Sequence, residues 1–70
     1  MLTEVKEYSC EYNTAPKDDD LISAMNIAQE NHCIVKITWT MKWSGHYSVL
    51  VHENDSINDI KAQLPKIYGM

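Results

Sequence analysis

The side chains of this 70-residue chain that could do chemistry are histidines 32, 46 and 52, cysteines 10 and 33, and ten carboxylates. A zinc site needs three or four such ligands converging within about 2.0 to 2.3 Å of the metal. His32 and Cys33 are adjacent and Cys10 could join them, but no zinc-ribbon spacing is present. His46 and His52 fall on one strand six residues apart, about 20 Å at the strand rise, and cannot share an ion. No metal and no cofactor is expected. Catalysis is equally unsupported, because the chain has no nucleophile elbow, phosphate loop, metal-binding histidine pair or cysteine–histidine signature. Nearly all the carboxylates lie at helix starts or on solvent faces, where capping and solvation account for them. The chain is therefore not expected to be an enzyme. Cys10 and Cys33 read as small buried residues. A disulfide between them stays open if the first strand lies beside the start of the second.

The elements that position these groups follow from apolar periodicity. In Ile34 to Lys42, Val35, Ile37, Trp39 and Met41 share one face, and Lys36, Thr38, Thr40 and Lys42 share the other. In His46 to His52, Tyr47, Val49 and Val51 alternate with His46, Ser48, Leu50 and His52. A two-residue loop at Ser44-Gly45 would set the apolar face of one strand against the polar face of the other. A three-residue loop Trp43-Ser44-Gly45 with a glycine bulge instead pairs Met41 with Tyr47, Trp39 with Val49 and Ile37 with Val51. Trp39 then belongs to the core. Trp43 sits in the turn, either exposed or folded back over the sheet edge.

Residues 3 to 13 read as a strand with Tyr8, Cys10 and Tyr12 on one face and Glu7 and Glu11 on the other. A helix follows from about Asp19 to Asn31, with Leu21, Ala24, Met25 and Ala28 as its stripe, Ile22 on the flank and Ile27 off it. Asp18, Asp19 and Asp20 favour its start. Ser56 and Asp59 resemble a capping box that opens a second helix with Ile57, Ile60 and Leu64 buried. Pro65 ends or kinks it, leaving an extra turn to Gly69.

The expected fold is α+β, one small domain over 1–70 in the order β-α-β-β-α, a three-stranded sheet with two helices packed on one face. Strand order 1-3-2 is preferred over the first strand lying parallel beside the second. The other sheet face is bare: Glu7, Glu11, Lys36, Thr38, Thr40, Lys42, His46, Ser48 and His52, with Leu50 as its one apolar residue.

Composition excludes further classes. A domain of this size buries only about 60% of its unfolded surface, too little for a deep catalytic cleft. The net charge is −4, the isoelectric point is near 5.1, and all six basic residues are lysines. Without arginine there is no bidentate donor for phosphate or guanine, so direct nucleic-acid binding is disfavoured. No apolar run is long enough for a membrane span or signal peptide, which gives a cytoplasmic expectation.

What remains is recognition of a larger protein, with a basic surface that the acidic clusters would steer towards. The candidate contacts are Trp43 and Tyr68 as aromatic anchors, with Asp18, Asp19, Asp20 and Asp55 as electrostatic ones. Two alternatives compete: a nucleic-acid-binding module using Lys36, Thr38, Thr40 and Lys42 of the open face, and a structural protein that self-associates, as a homodimer, through an edge strand. In type, a tiny acidic α+β domain without catalytic or targeting signatures resembles the small phage-encoded proteins that inhibit host enzymes, anti-CRISPR proteins and RNA polymerase inhibitors among them. The likeness rests on element order. It implies a viral, inhibitory protein and carries over no residue.

Overall fold

The computed structural model describes residues 4–64. Its elements are β1 (Val5–Ser9), α1 (Asp18–Asn31), β2 (Ile34–Met41), β3 (Gly45–Val51) and α2 (Ile57–Lys61). The sheet order is β1-β2-β3, with β1 parallel and β3 antiparallel to β2. The fold class is therefore the expected α+β, but the preferred order 1-3-2 is corrected. The reason lies in β2 itself. Val35, Ile37 and Trp39 are all buried, the most apolar inward row of the three strands, and such a strand gains most from a neighbour on both sides.

The hairpin register also needs correcting. Met41 pairs with Gly45, Trp39 with Tyr47, Ile37 with Val49 and Val35 with Val51, so the strands slide by two residues from the expected pairing. The three loop residues are Lys42, Trp43 and Ser44. Ser44 N donates to Met41 O at 3.3 Å, and Gly45, at φ 103°, becomes the first strand residue instead of the last loop residue. A slide of two preserves side-chain parity, so Val49 and Val51 still face the core and Trp39 is buried as expected. Its cross-strand partner is now Tyr47, with ring centroids 5.6 Å apart and planes at 23°, an offset stack worth about 0.5–1.5 kcal/mol beyond burial. On the outer face Lys36 lies opposite Leu50 and Thr40 opposite His46.

β1 is shorter than the expected 3–13. Cys10 N and Asn13 N still donate to Thr38 O and Thr40 O of β2, at 2.9 and 2.6 Å. Between them the chain turns, with Thr14 N donating to Glu11 O at 3.1 Å and Asn13 in the left-handed region at φ 60°. That turn breaks the alternation, so Tyr12 is 67% exposed and does not share the half-buried setting of Tyr8 and Cys10.

In α1 Leu21, Ala24 and Ala28 are fully buried, whereas Ile22 is exposed. Met25 packs on the core as expected, whereas Ile27, expected off the stripe, packs there too. The helix ends where His32 adopts the left-handed conformation at φ 50°. α2 opens on the expected capping box: Asp59 N donates to Ser56 Oγ at 3.2 Å and Ser56 N to Asp59 Oδ2 at 3.0 Å. It is shorter than expected, ending at Lys61, with Ile60 buried and Ile57 and Leu64 packed against the core. The turn expected at Pro65 to Gly69 lies outside the described residues.

Both cysteines are free, Cys33 buried and Cys10 half-buried. The parallel register explains why no bond joins them. Ser9 lies beside Thr38, so Cys10 is level with Trp39 while Cys33 precedes Ile34, about 20 Å away along β2.

Candidate partner interface

Trp43 occupies the hairpin tip and is 88% exposed. It does not fold back over the sheet. Lys42 Nζ lies 5.1 Å from its ring centroid, a cation–π contact that restrains the indole from one side. The tip is anchored from below, because Lys42 N donates to Asn13 Oδ1 at 2.9 Å. Asn13 meets this geometry because asparagine tolerates the left-handed backbone that aims its carboxamide at the turn. The loop after β1 thus buttresses the turn between β2 and β3. The same loop brings Tyr12 to this end of the sheet, an exposed aromatic that strand alternation had assigned to the core face. The signal for it in the sequence is Asn13-Thr14-Ala15-Pro16, whose turn chemistry starts early enough to free Tyr12.

The acidic candidates divide between the two ends of the molecule. β1 delivers the chain to the same end as the hairpin tip, so α1 begins there with Asp18, Asp19 and Asp20. Asp20 is structural: it accepts from Lys17 N at 2.9 Å and from the Tyr8 hydroxyl at 2.8 Å. These bonds hold its carboxyl below the usual carboxylate range, the Lys17 amide first and the Tyr8 hydroxyl second, and they push the Tyr8 phenol up. Asp18 is tied to Lys61 Nζ at 3.0 Å, which joins the start of α1 to the end of α2. Asp19 is exposed. Asp55 lies at the opposite end, where its Oδ2 accepts from His52 N at 2.9 Å and closes the turn into α2. Tyr68 lies outside the described residues. Trp43 and Asp19 are therefore the candidates at one end that have no evident structural duty.

The open sheet face is a shallow groove lined by Glu7, Ser9, Lys36, Thr38, Thr40, His46 and Ser48, with Tyr12 at its end. Hydroxyls dominate it: Ser9 Oγ and Thr38 Oγ1 are 3.3 Å apart, and Thr40 Oγ1 and His46 Nδ1 are 2.9 Å apart. Glu7 lies directly beside Lys36, so the face is close to neutral. The formal charge is carried elsewhere. The helices and the segments leading into them hold Asp18, Asp19, Asp20, Glu30, Glu53, Asp55 and Asp59 against Lys17 and Lys61. The sheet and the loop after β1 balance Glu4, Glu7 and Glu11 with Lys6, Lys36 and Lys42.

Among the described residues no cluster of three or more histidine, cysteine or acidic side chains could hold a metal ion. His32 Nδ1 lies 3.3 Å from Glu53 Oε2, and His52 Nδ1 lies 3.5 Å from Asp55 Oδ2; these are separate surface pairs. Burial pushes the Cys10 thiol up, away from the thiolate a nucleophile needs. Among the described residues no helix is long and apolar enough to cross a membrane. No protein-family model, curated protein or solved structure matches the chain.

Proposed function

We propose that this protein is a non-enzymatic binding domain that acts in the cytoplasm by seating its hairpin tip on a functional, basic surface of a larger protein. On this reading it is an inhibitor of the kind that phages direct at host enzymes. The observation that carries it is Trp43, 88% exposed on a turn held by Asn13 and Lys42. A large aromatic presented on a fixed backbone loses little freedom on docking and fills a pocket well, which is how interface hot spots arise. Asp19 and the other carboxylates at the start of α1 add the attraction that speeds encounter with a basic partner.

The test is affinity capture from the native host's lysate with the parent chain, with Trp43→Ala and with Asp18→Asn/Asp19→Asn, followed by titration of the captured protein. Asp20 is left intact because its carboxylate holds the start of α1. Trp43→Ala is expected to weaken binding by about 2 kcal/mol or more, the hot-spot range. The aspartate pair is expected to slow association and reduce its salt dependence. Retention of every partner by both variants overturns the reading. So does tight, steeply salt-dependent binding of RNA or DNA, which would move function to the open sheet face.

A further inference from the structure

The two edges of the sheet differ in how they are protected. β1 has five residues, carries Lys6 and Glu7, and is followed by the left-handed turn at Asn13; short length, charge and a kink are the devices that deter edge pairing. β3 has seven residues, Gly45–Val51, with no lysine, carboxylate or proline, and its Leu50 is 44% exposed. An uncharged, proline-free segment of this kind is prone to pair with another strand.

The backbone of β3 is also oriented for pairing. Thr38 O and Thr40 O accept from the β1 side, so the backbone groups of Thr38 and Thr40 point away from β3. Their partners Ser48 and His46 are then the non-hydrogen-bonded pairs of the β2–β3 ladder, and they turn N–H and C=O to the outer edge. Leu50, two residues on, repeats the pattern. Gln63 Nε2 meets this edge weakly, 3.4 Å from Leu50 O.

We infer that the outer edge of β3 pairs antiparallel with β3 of a second copy, about a two-fold axis at Ser48, to make a six-stranded sheet. The sequence of β3 selects that occupant. Centred on Ser48, Tyr47 falls opposite Val49 of the copy and His46 opposite Leu50, so core-facing residues meet core-facing residues. The strand has no formal charge, so a second copy brings no like-charge pair to the seam. The two-fold keeps both helical layers on one side and sends the two Trp43 tips to opposite ends.

Sedimentation velocity of the full chain over a concentration series tests this, with Ser48→Lys, Ser48→Pro and Trp43→Ala alongside. The parent is expected to pass from monomer to dimer. Ser48→Lys sets two like charges opposite each other on the solvent face and is expected to weaken the dimer about tenfold or more. Ser48→Pro removes the N–H that points to the edge and leaves the β2 ladder intact. If circular dichroism shows that it does not fold, the lysine variant decides. Trp43→Ala is expected to dimerise like the parent. A parent that stays monomeric up to about 1 mM, an unchanged dimer in Ser48→Lys, or a dimer lost in Trp43→Ala overturns the inference.

Discussion

Asn13 Oδ1 accepts a hydrogen bond from the backbone N–H of Lys42 at 2.9 Å, clasping the loop after β1 to the tip of the β2–β3 hairpin. The bond joins segments far apart in sequence, and it requires Asn13 at φ 60°. Asn13→Ala loses the acceptor, worth about 1 kcal/mol, and keeps a Cβ in the left-handed region without the local bonding that eases asparagine there, about 1 kcal/mol more. Asn13→Gly loses the acceptor alone and should cost about half as much. Urea denaturation of the two variants checks this, and an alanine variant as stable as the parent would show that the clasp contributes nothing.

The Tyr8–Asp20 bond makes stability depend on pH at both ends of the scale. Asp20 is held below its ordinary value, so its contribution is complete above the unfolded carboxylate value of about 3.9 and disappears as pH falls through the lowered one. Tyr8 is raised; its contribution is complete below about 10 and is lost as pH rises through the raised value. Asp20→Asn should flatten the acid limb of a stability–pH profile, leaving the part due to Asp59, which its bonds with Ser56 also lower. Tyr8→Phe should flatten the alkaline limb and cost about 1 kcal/mol near neutrality. Denaturation midpoints measured from acid to alkaline pH resolve the two limbs.

The two tryptophans should respond oppositely to truncation. Trp39 is 3% exposed and stacked on Tyr47, so Trp39→Ala should cost about 3–5 kcal/mol. Trp43→Ala removes an exposed ring and one cation–π contact, and should change stability by no more than about 0.5 kcal/mol. Emission from the Trp43→Ala variant, which retains Trp39, should be blue-shifted relative to the parent and shift red on unfolding. A stability loss at Trp43 comparable to that at Trp39 would mean that the tip is structural.

The start of α1 is only half capped. Lys17 N donates to Asp20 Oδ2, but the lysine side chain at the N-cap offers no acceptor in return, and its charge opposes the helix dipole. Lys17→Ser supplies the missing acceptor for the Asp20 amide and should stabilise the fold by about 1 kcal/mol. Thermal and urea unfolding would show the gain, and a neutral or destabilising result would mean that Lys17 has another role at this end.

The parts legible in the sequence are those set by parity and by local side-chain chemistry. The inward faces of β2 and β3, the buried Trp39, the Ser56–Asp59 capping box and the position of Trp43 in the turn all follow from alternation and capping rules. A slide of two residues was invisible, because Gly45 can serve a bulged turn either as the last loop residue or as the first strand residue and alternation is blind to even shifts. Strand order was obscured by a different cause. A helical crossover allows β1 on either side, and only the burial of β2 on both edges decides. The duties of Asp18, Asp20 and Asp55 depend on Lys61, Tyr8 and His52, partners that no spacing rule connects to them except the near neighbour His52. Alternation places Trp43 in the turn without distant information, but whether its ring stands free or folds back is decided only by the three-dimensional packing.

The uneven division of charge between the helical layer and the neutral sheet has a mechanical consequence. It gives the molecule an electric dipole directed roughly across the sheet, and a positively charged surface exerts a torque that turns the helices towards it. The hairpin tip projects along the strands, at right angles to that axis. On the proposed reading, a body oriented in this way meets a basic surface side-on, so the site that takes Trp43 belongs at the margin of that surface.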